Sequence, residues 1–171
     1  MDRSAVVKLC AKFERAGLAY WVDGGWGVDA LIGEQTRPHS DLDLAVLLED
    51  IPEFERLLKL DGYTRIIRDR DPEWNWFLVN SDGGAVDLHG FVLDEVGNGV
   101  LGDASDGAMY PCGALEGVGT LGGHGVRCVS APFVLLFRNS FAPRDVDHHD
   151  VAALCSRFDL PRPTRFVLDD C

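Results

Sequence analysis

Apolar residues recur along the chain first at helical spacing and then at strand spacing, and the switches between the two lay out its elements. Val6, Leu9, Cys10 and Phe13 fall on one helical face after Ser4, which can cap a helix running through Ala16 to a stop at Gly17. Ala19 to Asp23 predicts a buried strand, Gly24-Gly25 a turn into a short helix, and Asp41 to Val46 a second strand. A helix beginning between Glu49 and Pro52 places Phe54, Leu57 and Leu58 inward and ends at Asp61-Gly62. Tyr63 to Ile67 is a further strand, and Trp74–Asn80 with Ala85–Val92 forms a hairpin around Ser81-Asp82-Gly83-Gly84.

The pattern then changes. Ten of the 19 glycines lie between Gly97 and Gly125, which predicts irregular loops and short edge strands lining a substrate cleft. A brief strand at Val126–Val129 leads to a helix from Ser130 to about Ser140, with Pro132 in its first turn. A last helix, from about Asp145 to Phe158, packs through Val146, Val151, Leu154 and Cys155. The expected architecture is an α/β (α+β) fold. Residues 1–95 form a catalytic part built on a small mixed sheet with flanking helices, and residues 96–171 form a substrate-binding part with loops and two helices. No clear linker separates them.

Charge narrows the possible partners. With 46% hydrophobic and 26% charged residues the composition is that of an ordinary globular protein. The net charge of −12 speaks against general binding to nucleic acid or to an anionic membrane, and favours a cationic small molecule. No apolar run is long enough to span a bilayer and no signal core follows Met1, so a cytoplasmic location is expected. Cys10, Cys112, Cys128, Cys155 and Cys171 are odd in number and form no CxxC pair, which suggests small, mostly buried thiols and neither a zinc site nor a disulfide framework.

The chemistry concentrates between Tyr20 and Val46. Strand alternation puts Asp41 and Asp43 on one side while Leu42 and Leu44 enter the core. Two carboxylates so close repel unless a cation lies between them, and carboxylate oxygens together with substrate phosphates suit magnesium. Gly24 and Gly25 permit positive φ and close ligand approach, and the helix amides that follow are anion donors suited to a triphosphate. Asp87 is presented by the hairpin in the same way, opposite in face to Val86 and Leu88.

Other residues have two readings. His89 is a structural hydrogen-bonder or a ligand, and Asp29 is read as structural. His39 either orients its loop or touches phosphate. Trp74 and Trp76 either stack on a ligand or pack. Asp145, Asp147, His148, His149 and Asp150 are either a helix start matched to the macrodipole or a second metal site.

The Gly-Gly turn followed by Asp-x-Asp resembles the DNA polymerase β superfamily of nucleotidyltransferases. More narrowly, the segment DGGWGVDALIGEQTRPHSDLDL resembles the small lincosamide nucleotidyltransferases and, less closely, the aminoglycoside 2″-nucleotidyltransferases. The similarity resumes at Val86–His89, at Val126–Ser130 and from Leu135 through Asp150, and is poor from about Asp94 to Gly125. The resemblance implies Mg²⁺-dependent transfer of a nucleoside monophosphate from a nucleoside triphosphate, ATP or GTP, to an antibiotic hydroxyl, with release of pyrophosphate. In that scheme Asp41 and Asp43 are metal ligands, and Asp87 takes the proton of the attacking hydroxyl or also touches metal. Gly24, Gly25 and the Trp26 amide hold the triphosphate, and Arg37 neutralises its charge. The acceptor is expected to be a lincosamide, with an aminoglycoside as the alternative, and acceptor-choosing residues are expected within Asp94–Gly125. A second subunit is expected to complete the cleft as a homodimer. A reading of another class is a toxin–antitoxin nucleotidyltransferase component acting on RNA or protein, against which the acidic balance speaks.

Overall fold

The structure is a computed structural model, and it describes residues 1–69, 71–103, 105 and 107–167. Cys171, expected as a buried thiol, lies outside the described residues. Among the described residues the α-helices are α1 (Arg3–Arg15), α2 (Gly24–Ile32), α3 (Ile51–Leu60), α4 (Ala131–Arg138) and α5 (Asp145–Phe158). The strands are β1 (Tyr20–Val22), β2 (Asp41–Leu47), β3 (Thr64–Ile66), β4 (Asn75–Val79), β5 (Ala85–Leu93), β6 (Gly99–Leu101), β7 (Met109–Tyr110), β8 (Gly117–Leu121) and β9 (His124–Cys128).

The strands join in one mixed sheet in the order β3-β4-β5-β2-β1-β9-β8, with β6 pairing to β5 and β7 to β6. β2–β5 and β1–β9 are parallel and the remaining pairs antiparallel. The glycine-rich segment therefore contributes β6, β7 and β8 to the sheet that carries the first strands. Gly119 explains one approach: a Cβ there would collide with the Ala30 carbonyl, so only glycine lets α2 lie against β8.

Strand alternation works as the sequence predicts. Leu42, Leu44, Val86 and Leu88 are fully buried and share a core with Phe13 of α1 and Phe54 of α3, whose rings meet edge-on at 4.8 Å. Each such side chain contributes about 1.5–3 kcal/mol by leaving water. Asp41, Asp43, Asp87 and His89 are left on the opposite face.

Three local expectations change. The cap of α1 is Asp2, which accepts from the Ala5 amide at 2.8 Å, and Ser4 lies inside the helix; an aspartate one residue before Arg3 supplies both the acceptor and the charge that a helix start favours. Ser130 makes no capping bond, because its hydroxyl donates to the Gly113 carbonyl at 3.1 Å and ties α4 to the preceding loop. Val151 and Leu154 are buried as expected, but Val146 is 39% exposed on the cleft side of α5. Of the cysteines, Cys10 and Cys128 are buried, Cys155 is half-buried and Cys112 is exposed. Among the described residues no helix is long and apolar enough to cross a membrane.

Candidate active site

The parallel β2–β5 register sets Asp43 beside Asp87, Ala45 beside His89 and Asp41 beside Ala85. Asp43, Asp87 and His89 consequently converge, each offering one ligand atom within 4.8 Å of the others. Asp41 lies one strand repeat away in the same cleft, where its Oδ1 accepts from the Ser40 hydroxyl at 2.8 Å. His89 thus joins the carboxylates, a role that spacing alone left open.

This cluster is short of positive charge. Burial pushes the Asp43 carboxyl up to about 7, His89 opposes that rise, and the charges of Asp41, Asp23 and Asp87 add to it. Asp87 is 7% exposed, and its Oδ1 has no hydrogen-bond donor. Its Oδ2 accepts from Arg68 at 3.1 Å. Arg68 is held in turn by Asp71, at 2.6 and 2.8 Å, and its guanidinium lies 3.9 Å from the centre of the Phe77 ring. Phe77 is the β4 neighbour of Asp87, so the ring supports the arginine where the carboxylate needs it. An orphaned buried carboxylate oxygen beside a carboxyl of raised pKa is the donor set a divalent cation satisfies. Asp43, Asp87 and, from the cleft wall, Asp41 fit such an ion.

The start of α2 adjoins the carboxylates. Asp23 is its cap, and its Oδ1 accepts from the Gly24 amide at 2.7 Å, so that amide already has a partner. The Gly25 and Trp26 amides precede the first intrahelical bond, from Gly27 to the Asp23 carbonyl, and remain the anion donors of this end. Gly24 has φ +57°, and a Cβ there would overlap the Asp43 carboxylate. A Cβ on Gly25 would overlap the His39 imidazole and the Arg37 guanidinium. The two glycines thus admit the side chains of the site as well as a ligand. The Trp26 side chain is fully buried, its ring centre 4.5 Å from that of His39. Asp29 is structural, as read: it pairs with His39 and accepts from the Thr36 amide at 3.0 Å and hydroxyl at 2.8 Å, fixing the loop that carries Arg37.

Arg37 meets Asp150 through two bonds of 2.7 Å. Asp150 also accepts from Arg138 at 3.0 Å, Arg138 pairs with Asp147, and Asp147 accepts from Arg144 at 2.9 and 3.0 Å. Burial raises the Asp147 carboxyl, but the hydrogen bonds from the Arg144 side chain and backbone and the charge of Arg138 leave it below its ordinary range. Three guanidiniums against two carboxylates leave a positive excess facing the acidic cluster. The segment Asp145–Asp150 is the acid-rich start of α5, where Asp147 accepts from the Arg144 backbone amide at 2.9 Å, and its Asp147 and Asp150 also serve as buried anchors for arginines.

A cleft of about 590 Å³ runs between these walls. Asp23, Gly24, Gly25, Asp41, Asp43 and His89 line one side, and Val134, Phe137, Phe141 and Val146 line the other together with Arg138 and Arg144. Among the described residues that wall comes from α4, α5 and their connection, where residues 94–125 were expected to contribute. From the glycine-rich segment, Tyr110 reaches the site from behind: its hydroxyl donates to Asp23 at 2.9 Å and lies 3.1 Å from His89 Nδ1. Trp74 packs edge-on to His89 at 5.8 Å and against Gly102, while Trp76 packs on Gly90 under Arg65. Asp23 was legible as a cap before Gly-Gly, and Arg138 as a lone cation in an apolar helix. Nothing in the local pattern signals Tyr110.

A profile of the aminoglycoside-2″-adenylyltransferase family matches residues 5–154. The chain belongs to that family. Its members' chemistry makes it a nucleotidyltransferase related to the lincosamide enzymes. A lincosamide resistance protein of Staphylococcus haemolyticus is 27% identical over 149 residues, 84% of this chain and 88% of that protein. A 2″-aminoglycoside nucleotidyltransferase of Escherichia coli is 35% identical over 65 residues, 36% of this chain and 37% of that one. The lincomycin-bound crystal structure of the lincosamide antibiotic adenylyltransferase LnuA superposes with a TM-score of 0.78 at 25% identity, covering 91% of this chain and 98% of the other. ANT(2″)-Ia in complex with adenylyl-2″-tobramycin shares the fold, with a TM-score of 0.70 at 22% identity over 90% of this chain and 87% of the other. The polymerase β-like nucleotidyltransferase fold expected from the Gly-Gly and Asp-x-Asp segment is thus the fold of this chain.

Proposed function

We propose that this protein moves a nucleoside monophosphate from a nucleoside triphosphate, ATP or GTP, to a hydroxyl of a lincosamide antibiotic, with Mg²⁺, releasing pyrophosphate and inactivating the drug in the cytoplasm. The observation that carries the reading is the side-by-side placement of Asp43 and Asp87, one oxygen orphaned, directly beside the amide-bearing start of α2, where Gly24 packs on the Asp43 carboxylate. Asp41 and Asp43 hold the metal, and Asp87 contacts it or receives the acceptor's proton. Gly25 and Trp26 amides, with Gly24 shaping the turn, bind the triphosphate. Arg37, already fixed by Asp150, faces its charge. A divalent ion held by these carboxylates would supply positive charge to the displaced phosphate oxygens, and positioning by the residues around it would supply most of the rate.

In functional terms residues 1–95 supply the donor side and residues 96–171 the acceptor side, through Val134, Phe137, Phe141 and Val146. That apolar wall suits an alkyl-bearing lincosamide better than a polyammonium aminoglycoside. The aminoglycoside reading is favoured by the carboxylates of the other wall and the net charge of −12. In this reading a second copy of the chain completes the open side of the cleft. Incubation with Mg²⁺, mixed nucleoside triphosphates and a panel of both drug classes, followed by mass spectrometry, tests the proposal. A lincosamide gaining one nucleoside monophosphate supports it. A panel left unmodified by protein that binds ATP overturns it.

A further inference from the structure

We propose that His89 is itself a ligand of the divalent cation, through Nε2, and that Tyr110 and Asp23 fix the imidazole in the tautomer this requires. The proposal rests on the metal-site reading above and adds a nitrogen donor to its oxygen set.

Proton placement decides the matter. Asp23 Oδ2 accepts from the Tyr110 hydroxyl at 2.9 Å, and an ionised carboxylate can only accept. Its single hydrogen is then spent, and the oxygen can only accept from His89 Nδ1, 3.1 Å away. With Nδ1 turned to the Tyr110 hydroxyl, Nε2 is the ring nitrogen left to face a cation.

Nε2 faces the cation cluster. It stands 3.8 Å from Asp87 Oδ1, too far for a hydrogen bond, and that oxygen has no other donor although Asp87 is only 7% exposed. Ligand bonds of about 2.0–2.2 Å to one ion would span such a gap. Asp43 contributes the third atom. The chain His89–Tyr110–Asp23 is the outer-shell support that orients metal-ligating histidines, and because Asp23 also caps α2 it ties the metal ligand to the triphosphate lip. Trp74 at the ring's edge restricts its rotation.

An imidazole in an otherwise carboxylate set shifts preference from Mg²⁺ towards metals that accept nitrogen, of which Mn²⁺ is the accessible probe. The full-length protein with Mn²⁺ alone, without nucleotide or antibiotic, gives the direct test by electron spin echo spectroscopy. The wild type is expected to show modulation from a directly bound imidazole nitrogen, which changes when the protein is made with ¹⁵N-histidine and vanishes in His89→Gln. Tyr110→Phe is expected to weaken Mn²⁺ binding by about 10-fold, the lower end of outer-shell effects, and Mg²⁺ binding by less. Bound Mn²⁺ without nitrogen modulation in the wild type, or no Mn²⁺ binding, overturns the proposal. Because the readout needs no turnover, a nitrogen-ligated ion in a protein that modifies no antibiotic would sink only the proposed reaction. An active transferase whose Mn²⁺ lacks nitrogen would sink only the role of His89.

Discussion

Replacing Asp43 by asparagine should stabilise the metal-free protein while abolishing its chemistry. Asn keeps the size and polarity of the side chain but cannot ionise. In the folded chain the Asp43 carboxyl is raised from 3.8 to about 7, so the folded state holds a proton that the unfolded state has released over that range. The sign follows from linkage: where the folded state binds more protons, stability falls as pH rises, here from about pH 4 to pH 7. The rise corresponds to about 4 kcal/mol against the ionised form above pH 7. Asp43 lines an open cleft and shares its strain with Asp41, Asp23 and Asp87, so solvent and neighbours reduce the gain from removing its charge to about 2 kcal/mol. For a chain this long that moves Tm by roughly 4–8 °C. Denaturant unfolding in chelator at pH 8 should therefore find Asp43→Asn more stable than wild type, with the advantage gone near pH 4. Magnesium should raise the wild-type Tm at pH 8 more than at pH 6, because binding must displace the Asp43 proton, and should leave the variant unmoved. An Asp43→Asn protein that is less stable at pH 8, or equally favoured at both pH values, would refute the reasoning.

Gly25→Ala puts a methyl group into the space of His39 and Arg37 and should raise the KM for the triphosphate at least about 10-fold, a loss of about 1.4 kcal/mol of binding, with the far-ultraviolet dichroism unchanged. Asp150→Ala leaves the Arg37 and Arg138 guanidiniums without their shared partner. Breaking such a buried pair costs about 3–5 kcal/mol, seen as a lower denaturation midpoint at unchanged m. Arg68→Gln frees Asp87 Oδ2 and should lower kcat about 10-fold, a fraction of the roughly 10²–10⁴ that a positioned base supplies, with the KM for both substrates nearly unchanged in steady-state kinetics. Phe141→Asp places a charge on the apolar wall and should raise the KM for lincomycin while sparing that for ATP, measured in the same assay.

What could be read from the chain was what depends on near neighbours. The two-residue period of Asp41 and Asp43 fixes their common face whatever the rest of the sheet does, and the pair Gly24-Gly25 marks the turn because little else tolerates φ near +57° with a carboxylate packed against Cα. The hairpin bearing Asp87 was legible for the same reason. The register was not: that Asp87 sits beside Asp43 rather than Asp41 is decided by a parallel pairing across some forty residues, which no local pattern encodes. Charge pairing between elements hid the role of Asp150, since Arg138 lies on α4 and Arg37 in the loop before β2, whereas the Arg144–Asp147 pair is local. Tyr110 was invisible because a two-residue strand inside a glycine-rich segment has too few positions to show a period. The lining of the cleft by α4 and α5, where loops were expected, has the same origin: amphipathicity tells which face of a helix is apolar, but not whether a core or a ligand covers it.

The central claim is tested most directly with ATP labelled at the α-phosphorus, lincomycin and Mg²⁺, following the label and pyrophosphate together. Label should enter the antibiotic with one pyrophosphate released per transfer, and Asp43→Asn should transfer none. Label remaining in ATP or appearing only as free AMP, from protein shown to bind both nucleotide and lincomycin, would contradict it.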